Sequence, residues 1–393
     1  MSVGQAAAAE LWGGWPWWLA TQPQVLKQYP VQRVLFQSWE LQPDATLDTH
    51  RWADLWQTPA STVKQASKAA SKNTTPLLTQ QLRANRQRIA PVLLVRDAAL
   101  FNRLFASRPR WMLVLARTLA ELNGVPTDVL AGLHLDLPLY VNLNTEAIQG
   151  FHVFVAELRQ RMLEKYPKAQ LSALAPAGVE QALWDASTIA HLDFLVLNGH
   201  EAHWLDGPEA GSLAPLKGAG FITWENTLRY YTKLGWPAHK LLFSLPLYGV
   251  EWPTQNEKLG SSTRAEGQIL SFTPLPVNKL SEKAVHHPIA ARSVQQQINQ
   301  YPVRRDAESG SSWYVYRTRQ VWMQGWFEDE SSLQQKIDFI QRERLAGVSL
   351  QFLGADGGQF KALVQPLLRP ATKPVSKPAI ESLNKSNESV KKK

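Results

Sequence analysis

Gly132-Leu133-His134-Leu135-Asp136-Leu137-Pro138-Leu139-Tyr140 is the stretch on which the reading of the fold turns. Leu133, Leu135 and Leu137 alternate with His134, Asp136 and Pro138, and a strand of period two aims these two sets at opposite faces. In a closed parallel barrel the second set points inward, and its residues near the carboxyl end of the strand lie where sites are built.

Working outward, apolar strand-like runs alternate with helical stretches, the pattern of repeated βα units. Strands are expected at Leu11–Trp15, Val31–Trp39, Ile89–Val95, from Gly132, and at Ala169–Ala175, Leu192–Asn198, Lys240–Leu247 and Gly347–Leu353. Helices are expected at Leu100–Leu122, Gly150–Tyr166, Trp224–Leu234 and Ser331–Arg344, with Pro167 stopping the second of them. Eight strands favour a closed barrel over an open sheet. The expected class is α/β, a (β/α)8 TIM barrel over residues 1–368, with a small α+β insertion between strands 7 and 8.

Two segments break the alternation. Residues 58–81, rich in Ala, Ser, Lys, Thr and Gln, read as a surface insertion, and residues 253–324 read as an inserted subdomain with strands at Tyr314–Tyr316 and Val321–Met323. Residues 369–393 are a basic tail with too few large apolar residues to order itself.

Composition bounds the function. The absence of cysteine excludes disulfides, thiolate metal sites and a thiol nucleophile. No run of about 18 apolar residues indicates a membrane span. The N-terminus has no basic region ahead of its apolar residues, so the expectation is a cytoplasmic chain, or a periplasmic or secreted one whose signal peptide was removed. The formal charge of +9 is local: residues 370–393 hold six Lys against Glu381 and Glu388, a net +4, and residues 63–88 hold a net +6. The rest of the chain therefore sums to −1, which gives no nucleic-acid footprint.

The Gly132 strand resembles the fourth strand of the family 18 glycoside hydrolases, the chitinase family, which reads Asp-Gly-x-Asp-x-Asp-x-Glu. Its acidic positions fall here on Ala131, His134, Asp136 and Pro138, so only Asp136 survives. Further resemblance runs along the chain. Trp12-Gly-Gly-Trp-Pro-Trp-Trp18 resembles the aromatic first strand, and Asp193-Phe-Leu-Val-Leu-Asn-Gly-His-Glu201 lies over the sixth. Pro246-Leu-Tyr-Gly-Val-Glu-Trp252 resembles the seventh, and Gly325-Trp-Phe-Glu-Asp-Glu-Ser331 with Lys336 resembles the segment before the last helix. Asn198, His200 and Glu201 replace the family's Met, Tyr and Asp, and Gln351 replaces the Trp that floors the sugar site.

The resemblance implies a mechanism in which one carboxylic acid protonates the leaving oxygen and the substrate's own N-acetyl oxygen attacks from the far side. Pro138 stands where that acid belongs, and proton transfer is typically worth ~10²–10⁴ in rate. The expected function is a catalytically degenerate, chitinase-like barrel that binds an N-acetylated glycan of chitin or peptidoglycan type. One alternative is a hydrolase of N-acetylhexosamine polymers with a relocated acid, for which Asp136, Glu201 and Glu146 are the candidates. A second is a protein-interaction scaffold acting through the barrel face or the basic tail.

Ligand contacts are expected from Trp18, Asp136, His200, Glu201, Trp204, Tyr248, Trp252 and Gln351, the aromatic rings offering apolar faces to sugar C–H groups. Blander readings stand beside these. Asp136 equally suits a structural role bonding backbone amides, His134 reads as a satisfied interior histidine, and some of the 16 tryptophans must be core. His200 and His203 have a His-x-x-His spacing, but no third ligand is identifiable, so neither metal nor cofactor is expected.

Overall fold

The computed structural model describes residues 9–16, 23–56, 77–139, 143–177, 182–218, 220–272 and 292–368. Eight parallel strands run in chain order: β1 (Glu10–Trp15), β2 (Arg33–Leu41), β3 (Arg88–Leu94), β4 (Gly132–Asp136), β5 (Gln170–Ala175), β6 (Phe194–Leu197), β7 (Leu241–Pro246) and β8 (Gly347–Gln351). Each pairs in parallel with its neighbour in sequence, and β1 pairs with both β2 and β8, which closes the sheet into a (β/α)8 barrel.

The alternation read from the sequence sorts the two faces. Leu133 and Leu135 of β4, Leu171 and Ala173 of β5 and Leu195 and Leu197 of β6 belong to the large core between sheet and helices. A separate small cluster, including Trp12, Leu35, Ala90, Val92, Val196 and Leu242, fills the barrel's inside. Gly132 opens β4 with φ 142°, and a Cβ there would lie 1.8 Å from the Gln170 carbonyl oxygen, so the close approach of β4 to β5 requires glycine.

Outside the sheet, Phe101, Phe105, Phe151 and Phe154 interlock, with Phe101–Phe105 centroids 4.8 Å apart and Phe105 edge-on to Phe154 at 5.2 Å. Each such buried ring contributes about 1.5–3 kcal/mol through removal from water. They fix the helix Thr145–Lys165 against the helices that follow β3. Those are two, Ala98–Phe105 and Arg108–Leu122, where the sequence pattern predicts one helix over Leu100–Leu122. The helical run is interrupted at Ala106-Ser107 because Pro109 has no N–H and is accommodated only in a first turn.

Between β7 and β8 lies a second, antiparallel sheet of five strands, in the order Gln268–Leu270, Gly249–Thr254, Trp322–Phe327, Ser312–Arg317, Arg304–Arg305. Its register pairs Trp313 with Trp326 and Tyr314 with Gly325. Glu251 is buried at its centre, accepting from Tyr314 Oη at 2.8 Å and Arg292 Nε at 2.8 Å. At the sheet's end the buried Lys336 Nζ lies 2.6 Å from Glu328 Oε2, and Ser311 Oγ donates to the same carboxylate at 2.8 Å. Residues 57–76 and 369–393, which include most of the expected insertion at 58–81 and the basic tail, lie outside the described residues, while Leu77–Asn85 forms a helix. Among the described residues no helix is long and apolar enough to cross a membrane.

Candidate site at the carboxyl ends of the barrel strands

Polar side chains interrupt the apolar interior of the barrel. Ser172, Ser244 and Ser349, each fully buried, occupy inward positions of β5, β7 and β8. His134 Nδ1 lies 2.9 Å from Ser172 Oγ, and burial, with Arg33 adding, pushes its pKa down to about 3. It is thus a neutral, satisfied interior histidine, in keeping with the blander reading.

Asp136 ends β4 and is buried. Burial raises its carboxyl to about 6; the Arg96 guanidinium opposes the rise, the Glu201 carboxylate adds to it, and a hydrogen bond with the Gln37 side chain opposes it. Gln37 reaches this position by the ordinary alternation of β2, two residues past the inward Leu35, and β2 bulges only after it, between Gln37 and Trp39. The extra residue there turns Trp39 outward, where it meets Trp52 edge-on at 5.7 Å. Arg96, just past β3, also lies 3.8 Å from Glu40 at the end of β2.

Asn198 N–H still donates to the Ala175 carbonyl of β5 at 2.8 Å, and beyond it the chain leaves the sheet, so His200 and Glu201 are held by the segment that follows β6. Asn198 Nδ2 donates to Glu201 Oε2 at 2.7 Å. His200 Nδ1 lies 2.6 Å from Ser244 Oγ, its Nε2 is 3.8 Å from Glu201 Oε1, and burial lowers its pKa. Glu201 itself is exposed. Tyr248, just past β7, is buried and stacks on Phe352 at 5.3 Å; burial and the Glu201 charge hold its phenol well above the usual value. Gln351 ends β8 and lies across Gly14 of β1, where a Cβ would meet its Oε1 at 2.0 Å. Asp136, His200, Glu201 and Tyr248 are therefore one electrostatically connected group at the mouth, with Gln351 on the rim between β8 and β1.

Other expected positions fare differently. Trp252 is a correction: it is fully buried, its indole Nε1 donates to the Leu205 carbonyl at 2.9 Å and its ring covers Gly267, so no face remains for a sugar. The neighbouring Trp204 is 46% exposed. Glu146 sits exposed in the first turn of Thr145–Lys165, and the charges that act on Asp136 are those of Arg96 and Glu201. Trp18 lies outside the described residues. His200 and His203 do not lie on a strand: His203 Nδ1 turns to the Ser212 carbonyl at 2.7 Å, and no metal-holding cluster of three His, Cys, Asp or Glu occurs among the described residues.

Sequence reasoning passed over Gln37, Glu40, Arg96 and Ser244. Gln37 and Ser244 carried a signal, as isolated polar residues at inward positions of apolar strands; Arg96 and Glu40 come just after the strands expected at Ile89–Val95 and Val31–Trp39 and carried none.

Chemically, the mouth offers two carboxylates in unlike surroundings, one buried and one wet, with an arginine and two amides. No carboxylic acid stands at position 138, where the chain holds the half-buried Pro138. The model of a family described as glycosyl hydrolases family 18 matches residues 100–356, more than half of the chain. Among solved structures, the chain is similar to the spore cortex-lytic enzyme SleL of Bacillus megaterium QM B1551, at 16% identity and TM-score 0.65, covering 94% of this chain and 77% of that one. A family 18 N-acetylglucosaminidase from Paenibacillus barengoltzii aligns at 16% identity and TM-score 0.68, over 92% of this chain and 100% of that one. A family 18 chitinase from Cycas revoluta, in complex with (GlcNAc)3, aligns at 15% identity and TM-score 0.67, over 92% and 98%. At these identities the structural likeness speaks for the fold.

Proposed function

Because the chain belongs to glycosyl hydrolase family 18, we propose that its barrel mouth recognises an N-acetylated glycan, of chitin or peptidoglycan type, and does not hydrolyse it. The observation that carries this reading is Pro138. By the resemblance of the Gly132 strand it falls where the family carries its proton donor, and proline has neither a titratable group nor a backbone N–H. Binding needs less than catalysis does. Asp136 and Glu201 supply acceptors for hydroxyl or acetamide groups, and Trp204 offers an exposed ring for a sugar face.

A second reading has one observation in its favour. Asp136, with its carboxyl pushed up to about 6 beside the wet Glu201, has the divergence of carboxyl environments that acid–base pairs use. Asp136 or Glu201 would then act as a relocated acid. Calorimetric titration with N-acetylglucosamine oligomers and peptidoglycan fragments, run alongside a turnover assay on the same ligands, separates the readings. Binding without turnover is the expected result. Turnover abolished by Asp136→Asn or Glu201→Gln would replace it with the second reading, and neither binding nor turnover would leave the interaction scaffold.

A further inference from the structure

The helix Arg108–Leu122 buries Trp111, Val114, Leu115, Thr118 and Leu122 against the barrel. At about 100° per residue, the direction opposite that stripe belongs to Pro109, Leu113, Ala116 and Ala120. A solvated helix presents Lys and Glu there; this one presents an apolar ridge, with Leu113 49% exposed and Met112 beside it 36% exposed. Arginines flank the ridge. Arg110 and Arg117 line one side and Arg108 the other, while Arg103 of the preceding helix lies alongside, its carbonyl accepting from Arg110 at 3.2 Å.

Two of these guanidinium groups are held by main-chain carbonyls. Arg110 donates to a main-chain carbonyl, and Arg117 donates to that of Asp44 at 3.0 Å. The helix itself carries Arg108, Arg110 and Arg117 against Glu121 alone, and the Arg117 charge acts on the Asp44 carboxylate; with Arg103 the four arginines outnumber these two acids by two.

We propose that this face docks the protein onto an anionic lipid surface, Leu113 and Met112 entering the headgroup boundary while Arg103, Arg108, Arg110 and Arg117 meet the phosphates. The combination decides the occupant. An apolar ridge rimmed by arginine is the chemistry of an interfacial helix, for which burial and attraction to anionic lipid add. A plain solvated face would account for the arginines and not for the leucine. A second copy of this chain meeting the face about a two-fold axis would bring the arginine rims against each other.

The test uses the full chain and sedimentation with vesicles of phosphatidylcholine alone or of phosphatidylcholine mixed with phosphatidylglycerol, over a salt series. Binding is expected only to the anionic vesicles, falling with salt. Leu113→Asp, or Arg110→Glu with Arg117→Glu, should weaken it on the order of tenfold. Lys391→Gln, Lys392→Gln and Lys393→Gln together should leave it in place. Leu113→Ser serves as a milder replacement if Leu113→Asp lowers the unfolding midpoint. The proposal is overturned by wild-type protein that ignores anionic vesicles, by helix variants that bind like wild type, or by loss of binding in the tail variant. A wild-type dimer in sedimentation equilibrium that Leu113→Asp splits into monomers would assign the face to a second copy instead.

Discussion

His200 Nδ1 and Ser244 Oγ lie 2.6 Å apart, joining the turn after β6 to an inward position on β7. The same hydroxyl accepts from the Gly199 N–H at 2.9 Å and donates to the Leu197 carbonyl at 3.2 Å. One serine thus fixes the turn that presents Glu201 to the mouth. Ser244→Ala leaves these buried groups short of a partner and is expected to lower stability by about 1–3 kcal/mol in urea titration. It should also weaken glycan binding. A variant as stable as wild type would show that the turn holds itself.

The two neighbouring tryptophans are expected to part company on truncation. Trp204→Ala removes an exposed ring and should weaken glycan binding by on the order of 1–3 kcal/mol in calorimetry, with little change in stability. Trp252→Ala empties a buried site and should lower stability by about 3–5 kcal/mol, read from denaturant midpoints. The reverse pattern would exchange their roles.

Stability should carry the imprint of Asp136. Burial raises its folded-state carboxyl to about 6 from 3.8, so the folded protein holds that proton more tightly than the unfolded chain. This contribution is fully present below the unfolded value and is lost as pH rises through the folded one. A shift of about two units corresponds to roughly 3 kcal/mol. Asp136→Asn cannot lose a proton, so its stability relative to wild type should rise between acid and neutral pH. His134 titrates in the opposite sense: held neutral by burial at about 3 against 6.5, it withdraws stability as pH falls below the unfolded value. Urea midpoints of wild type and Asp136→Asn across this window decide the matter, and parallel curves would place Asp136 in contact with water.

Lys336→Met is expected to cost about 3–5 kcal/mol, because it leaves the buried Glu328 carboxylate facing Ser311 alone. Adding Glu328→Gln should recover part of that loss. Additive losses in thermal unfolding of the double variant would mean that the two charges do not depend on each other.

Much of the barrel was legible because strand alternation is local. In β4 the set Leu133 and Leu135 and the set His134 and Asp136 separate by parity alone, and the structure puts the first against helices and the second inside. The same parity places Gln37 and Ser244 inside, although as single polar residues in apolar runs they drew no expectation. What parity cannot see is an interruption. Nothing in the run of residues 33–41 announces the bulge between Gln37 and Trp39, since it is fixed by how β2 and β3 align across their whole length.

The amino-acid sequence by itself determined where the chain alternates, and it sets Pro138 where the resemblance to the family places the proton donor, since each follows from the chemistry of single residues and their immediate neighbours. Only the tertiary structure decided that Trp252 turns inward while Trp204 faces out, and that Asp136 meets Gln37, Arg96 and Glu201. Those outcomes depend on which surfaces remain to be covered once the barrel has closed, and residues far apart in sequence set that through packing and desolvation.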